Sequence, residues 1–422
     1  MAQSESNSKA FPAPSSSVVL VEGDAQCDRW TWFRIGIYIV LLAGMAVAIL
    51  FSTPDRVYDE RYYFDRTDQL SVGRDFVEVF SEKSPSAVGP FFPWLQFQVQ
   101  RVAGDDIRWA RLSCAGAMAL CLILLGETLR RVGVSRWLCV HACLATPFLI
   151  SSGMALTETW AVMFVVASAL VLLRSDERFG VVSALGAGML LALAVLTRQT
   201  SAVALPGLVW LLYLNRGPRV ADMALLAGPP VAAGLWLLTL WGNVVPPGQE
   251  HLSASGVLSS STLVQAAVYC GVLGALMNPT SVLSRLTLIA AAIGLVINLS
   301  LGLFTKPVLL TVFPEGERWT DLFQRAFWGA GMGVFLGQVL HHVRAASQFP
   351  LAAASLLIVL GVIVSCGLTS GQFSSRYVVL AIPFLVVLST QNASSRSLKL
   401  ATFLVIPFVA VAVRSLWQYG LW

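Results

Sequence analysis

The sequence predicts an all-α membrane protein with about 11–13 transmembrane helices and a long first outer loop that carries juxtamembrane helices. Three observations lead there. Of 422 residues, 56% are hydrophobic and only 12% charged, about half the charged share of an ordinary soluble chain. Apolar runs near the length of a bilayer-crossing helix recur along the chain, and they are continuous, which excludes the alternating strands of a barrel. Lysines and arginines gather in alternate short loops, as the positive-inside rule requires.

Taken in order, residues 1–29 are polar and Ser-rich and read as a disordered cytoplasmic tail. The first apolar run starts too far in for a secretory signal, so Trp32–Phe51 is expected as a retained first helix. Residues 52–108 form the first outer loop, polar and charged. Further spans are expected at Trp109–Leu129, Trp137–Ser151, Thr159–Leu173, Gly180–Leu196 and Ser201–Leu214. The second half adds Ala221–Trp241, Leu263–Met277, Leu286–Phe304, Ala326–Leu340, Leu351–Gly367, Tyr377–Leu388 and Leu398–Leu416. Residues 30–422 thus read as a single multi-pass transmembrane domain.

With alternation, Arg130, Arg131 and Arg136, then Arg174 and Arg178, then Arg216 and Arg219, then Arg344, then Arg396 and Lys399 share one face. That face and the N-terminus are assigned to the cytoplasm. The loop at 52–108 then lies outside, in a plasma (inner) membrane. Two arginines on the outer side run against the rule, Arg198 and Arg376. Snorkelling to the interface would explain each, but an ionisable group at membrane depth is a functional candidate by default.

The net charge of +5 reads as topology and does not point to nucleic acid. The cysteines lie within or beside apolar runs without ligand spacing and read as small buried hydrophobes. His141, His251, His341 and His342 do not converge, so no metal site is assigned.

The outer loop opens with Tyr58-Asp-Glu-Arg-Tyr-Tyr-Phe-Asp65, then Leu70-Ser-Val-Gly73, then Ser81-Glu-Lys-Ser-Pro85 and Gly89-Pro-Phe-Phe-Pro-Trp94. It closes on Arg108-Trp-Ala-Arg-Leu-Ser113. Later come Ser152-Gly-Met-Ala-Leu-Thr-Glu158, Leu193-Ala-Val-Leu-Thr-Arg-Gln-Thr200 and Ser375-Arg-Tyr-Val-Val-Leu-Ala-Ile-Pro383. This succession resembles the GT-C superfamily of polyprenol-dependent membrane glycosyltransferases, which includes the protein O-mannosyltransferases and the lipid A aminoarabinose transferases. Their first loop typically reads Asp-Glu-x-x-Tyr, and the later segments follow in the same order. Glu158 stands where the family usually has Asp, and Gly153 where it usually has Arg. The family's Pro-Pro pair is spread here over Pro85, Pro90 and Pro93.

The resemblance implies transfer of a sugar from a polyprenyl-phosphate-linked donor to a hydroxyl of a lipid, glycan or protein acceptor on the non-cytoplasmic face. A carboxylate can take the acceptor's proton as it attacks, and a single displacement inverts the anomeric centre. The family's base carries over to Asp59, with Glu60 beside it in support. Arginine forks suit phosphate, so Arg376, Arg198 and then Lys83 are the candidates for the donor phosphate. Glu158, Tyr62 and Tyr377 are assigned to the acceptor or to orienting the loop. No cofactor is assigned, and a divalent cation is left open.

Other readings stand beside this one. Asp59 and Glu60 taken alone would serve as the cap of a juxtamembrane helix, and Tyr62, Tyr63 and Phe64 as an interfacial aromatic belt. A transporter or flippase for a lipid-linked substrate would place its site at mid-membrane between repeated halves. An outer-leaflet polymer ligase would rely on a large outer loop of the second half, such as Asn243–Thr262 with Glu250 and His251.

Overall fold

The computed structural model describes residues 29–174, 180–217, 219–252, 258–304, 318–346, 349–368, 373–391 and 393–421. Apart from Arg29, the tail expected over residues 1–29 lies outside the described residues. The described chain is helical and carries no strand. The first helix is α1 (Arg29–Leu50). The first loop then holds α2 (Glu60–Ser71), α3 (Phe76–Ser81) and α4 (Phe91–Ala103). The bundle continues with α5 (Ile107–Arg131), α6 (Thr146–Gly153), α7 (Thr157–Arg174), α8 (Gly180–Thr197), α9 (Leu205–Arg216) and α10 (Val220–Trp241). The second half holds α11 (Ser260–Met277), α12 (Pro279–Val282), α13 (Arg285–Leu301), α14 (Arg318–Ala346), α15 (Pro350–Gly367), α16 (Ile382–Gln391) and α17 (Ser395–Gln418).

Eight of these, α1, α5, α7, α8, α10, α11, α15 and α17, are long and apolar enough to cross a bilayer. The chain is a multi-pass membrane protein. The other expected spans also fall on helix, but three of them are broken. Residues Arg136–Leu144, Gln199–Ala204 and Ser375–Ala381 are 3₁₀ segments that run into α6, α9 and α16. Each α-segment carries proline in its first turn: Pro147, Pro206 and Pro383. Proline lacks an N–H and collides with the carbonyl four residues earlier, so an α-helix starts at it more readily than it passes through. The preceding turns tighten to 3₁₀ instead. Two of these breaks place the residues described below.

Helix ends sort the charges. Arg130 and Arg174 both pair with Glu127, at 2.6 and 3.3 Å, where α5 and α7 finish. Asp59, Glu158 and Arg198 lie at the opposite end, at the starts of α2 and α7 and the finish of α8.

The first loop is a folded part of the protein. Asp75 caps α3 by accepting from the amides of Val77 and Glu78, and Asp106 caps α5 at Arg108. Phe64 and Phe92 are fully buried in a small core with Val57, Val88, Met154 and Leu416. Burying each such ring stabilises the docking by about 1.5–3 kcal/mol. The expected aromatic belt is therefore corrected: Tyr62 is exposed (52%), whereas Tyr63 (8%) and Phe64 (0%) point into this core. Helical spacing puts adjacent residues on different faces, so a run of three aromatics cannot share one surface.

A second connecting segment, after α10, clamps the first loop. The Ser84 amide donates to the Pro247 carbonyl at 2.8 Å. Gln249 donates to the Ser84 carbonyl at 2.8 Å, and the Trp241 indole donates to the Phe80 carbonyl at 3.0 Å. Gly89 donates its amide to the Thr197 carbonyl at 3.2 Å. A Cβ there would stand 2.0 Å from the Leu196 carbonyl oxygen, so only glycine lets the loop backbone approach the end of α8 this closely.

Candidate functional site

Asp59 occupies the N-cap position of α2, yet its side chain makes no capping hydrogen bond. Its Oδ2 instead lies 2.7 Å from Nη2 of Arg376 and accepts from the Tyr63 hydroxyl at 3.4 Å. The capping reading of the pair thus fails for Asp59. Tyr63 follows Asp59 by one helical turn, so the two side chains share a face.

Arg376 sits on the 3₁₀ segment ahead of α16. Its Nη1 lies 3.8 Å from Oε1 of Glu158, and Arg198 reaches that same oxygen at 2.7 Å. Arg198 also donates to the Thr157 hydroxyl at 3.2 Å. The four side chains form a row of alternating charge, Asp59, Arg376, Glu158 and Arg198, with Glu158 almost wholly buried. Each arginine also lies against an aromatic ring: Arg376 is 4.9 Å from the centre of Tyr58, and Arg198 is 5.7 Å from that of Tyr377. Tyr58 adopts a φ of +50°, a left-handed conformation that non-glycine residues rarely hold.

A small cavity of about 10 Å³ is lined by Glu158, Arg198, Ser201, Arg376 and Tyr377, room for roughly one water. Two buried donors that make no hydrogen bond belong to its lining residues, Nη1 of Arg376 and the Ser201 hydroxyl. Buried donors without partners cost free energy, and here both border the space between two arginines. Burial raises the proton affinity of the Tyr63 hydroxyl, so that group stays a donor toward Asp59.

Glu60 has a different environment. It is fully buried, and Arg111 grips it through both oxygens, at 2.9 and 2.7 Å. The amides of Val57 and Ala155 donate to it as well, each at 2.9 Å. Arg111 spends its remaining donors on the Ser52 hydroxyl and the carbonyls of Thr53 and Asp55. With every lone pair engaged, Glu60 offers nothing to a substrate and cannot stand as a catalytic group. It ties the loop's entry to α5 and to the turn before α7.

Of the residues singled out from the sequence, Asp59, Glu158, Arg198, Arg376 and Tyr377 come together. Tyr62 points away from them. Lys83 is exposed in the loop and joins the cluster through no described contact; its carbonyl accepts from Arg66 at 2.5 Å. Sequence reasoning missed Arg111, Tyr58, Tyr63 and Ser201. The four-residue spacing from Asp59 could have found Tyr63. An arginine inside the apolar run after Trp109 could have flagged Arg111. Nothing local marks Ser201. A Cβ at Gly153 would meet the ends of the Leu416 and Met45 side chains, at 2.9 and 3.3 Å.

No protein-family model and no curated protein matches the chain. Solved structures do resemble it. ArnT from Cupriavidus metallidurans bound to undecaprenyl phosphate superposes with a TM-score of 0.53 at 15% identity, over 92% of this chain and 64% of that one. Its apo state gives 0.52 at 15% identity, with the same coverage. The oligosaccharyltransferase of Archaeoglobus fulgidus, tethered to an acceptor peptide, overlaps at 0.41 and 13% identity, over 92% and 55%. The chain spans about two thirds of the length of ArnT. The described residues share the fold of ArnT.

Proposed function

We propose that this protein is an integral-membrane glycosyltransferase that moves a hexose or pentose from a polyprenyl-phosphate donor to an acceptor hydroxyl, with inversion. The observation that carries the reading is the bridge of Arg376 between Asp59 and Glu158, with one of its donors left open. A general base and a phosphate-binding guanidinium need to stand this close, because the acceptor oxygen and the leaving phosphate oxygen lie on opposite sides of one carbon. The GT-C fold supports the class, and ArnT, which shares it, has been seen with undecaprenyl phosphate bound.

In this mechanism the donor phosphate enters between Arg376 and Arg198 and draws Arg376 from Asp59. The released carboxylate accepts the proton of the acceptor hydroxyl while that oxygen bonds to the anomeric carbon. The bond from that carbon to the phosphate oxygen breaks, and its electron pair leaves on the polyprenyl phosphate. The two arginines stabilise the charge as it develops. Tyr63 orients Asp59 from below, and Glu158 holds both guanidiniums in register. The Glu60–Arg111 pair fixes the loop that presents Asp59. The N-terminus faces the cytoplasm, and the site faces the other side of the plasma (inner) membrane.

The test is a purified-protein assay with a panel of defined polyprenyl phosphosugars, scored for released polyprenyl phosphate. Release that depends on an added acceptor supports the reading. Hydrolysis or transfer from no donor in the panel, with the protein folded, would sink it.

A further inference from the structure

The end of α17 folds onto the loop that carries Asp59. Gly420 takes a φ of +81°, the left-handed turn that glycine allows after a helix. Its amide donates to the Trp417 carbonyl at 2.9 Å, and the Leu421 amide donates to the Leu416 carbonyl at 3.1 Å. These two bonds close a Schellman motif, and the apolar contact that accompanies one is present: Leu416 and Leu421 are buried in one core with Val57. The Leu421 carbonyl accepts from the Thr53 amide at 2.8 Å. The turn thereby fixes Tyr419, with its ring centre 4.8 Å from that of Tyr58 and the planes tilted by 42°. The Tyr58 ring in turn lies against the Arg376 guanidinium at 4.9 Å. An interfacial anchor at a helix end faces outward, as Trp417 does at 66% exposure; Tyr419 turns its ring to Tyr58 instead.

Among the described residues, Tyr58 is the one non-glycine residue with a positive φ. A tyrosine holds that conformation against a steric cost, and keeps it only where its surroundings oblige it. Here Tyr419 and Arg376 both hold its ring. On one side Val57 is buried in the core, and on the other Glu60 is gripped by Arg111. Any slack from releasing the ring therefore falls on Tyr58 and Asp59, and swings the Asp59 carboxylate out of place. We propose that Tyr419 is a positioning residue for the transfer, acting through the Tyr58 ring to keep residue 58 left-handed and Asp59 at the site. The inference rests on the reading of Asp59 as the base. Arg376 is held separately by Glu158 at 3.8 Å, so the phosphate ligand keeps its place when Tyr419 is lost. Rate and donor binding should then come apart.

The test compares Tyr419→Ala, Tyr419→Phe, Tyr58→Gly and the double variant Tyr58→Gly/Tyr419→Ala, with Trp417→Ala as the control for losing an interfacial aromatic. Acceptor-dependent release of polyprenyl phosphate gives kcat. Native mass spectrometry with undecaprenyl phosphate gives lipid binding, and the thermal midpoint in detergent reports folding. Tyr419→Ala should lower kcat on the order of 10- to 100-fold, since misplacing a reacting group by about 1 Å costs as much as 100-fold. Its thermal midpoint should stay near wild type, because the Tyr419 ring is half-exposed, and its lipid binding should stay within a few-fold. Tyr419→Phe keeps the ring and should restore the rate. Tyr58→Gly keeps the left-handed backbone without the ring, and in that background Tyr419→Ala should lower kcat no further. Four results each overturn the positioning role and leave the proposed reaction standing: a wild-type kcat in Tyr419→Ala, a loss matched by Trp417→Ala or by the thermal midpoint, a loss that Tyr419→Phe does not restore, or a further loss in the double variant. A wild-type protein that releases polyprenyl phosphate from no donor overturns both.

Discussion

Nη2 of Arg376 lies 2.7 Å from Oδ2 of Asp59, so the acid proposed to take a proton is held by the guanidinium proposed to take a phosphate. In that grip the carboxylate oxygen is engaged by Arg376 and is not open to an acceptor hydroxyl. In the proposed reaction the arriving donor phosphate draws the arginine away, so that release of the carboxylate would be coupled to donor binding.

Asp59→Asn should lower kcat by about 10²–10⁴-fold, the usual contribution of a positioned base, while donor binding stays within a few-fold of wild type. Steady-state kinetics together with equilibrium binding of polyprenyl phosphate check this. Full activity in the variant would remove Asp59 from the chemistry.

Glu60 and Arg111 form a pair with no exposed surface on either side chain. Removing one member leaves a buried charge alone, which typically costs about 3–5 kcal/mol. Glu60→Gln and Arg111→Met should each lower the thermal midpoint in detergent markedly, and the double variant should recover part of the loss. Additive losses in the double variant would show that the two side chains act independently.

Gly89→Ala should destabilise by about 1–3 kcal/mol, as overpacking does, because its methyl would meet the Leu196 carbonyl. The strain is passed to the adjacent Arg198. Donor affinity should therefore fall along with stability, measured as donor KM and thermal midpoint on the same preparation. A loss of stability with an unchanged donor KM would separate the loop contact from the site.

The first loop should be most stable between the acidic and alkaline limits. Hydrogen bonds from Arg74 and Arg108 hold the carboxyls of Glu82 and Asp106 below their ordinary range. Groups depressed in the folded state stabilise it above their unfolded pKa, and the contribution fades as pH falls through the folded value. Burial raises the Tyr63 hydroxyl; its contribution is complete below the ordinary tyrosine value near 10 and is lost above it. Thermal midpoints across pH should show both limbs, and Tyr63→Phe should remove part of the alkaline one. An alkaline limb unchanged in Tyr63→Phe would assign that limb to other groups.

Much of this protein was legible in its sequence because hydrophobic runs and helix breakers act locally. The runs are where helices lie, and Pro147, Pro206 and Pro383 could have marked the breaks. Asp59, Glu158, Arg198 and Arg376 stood out singly, since charge at membrane depth is costly anywhere in a chain. Partner choice was not legible. Asp59 and Glu60 are neighbours in sequence, and only the packed loop sends one to Arg376 and the other to Arg111. The same holds for Tyr62 and Tyr63, one facing outward and the other facing Asp59. An ion pair between distant segments depends on the orientation of two helix ends, and no local pattern encodes that orientation.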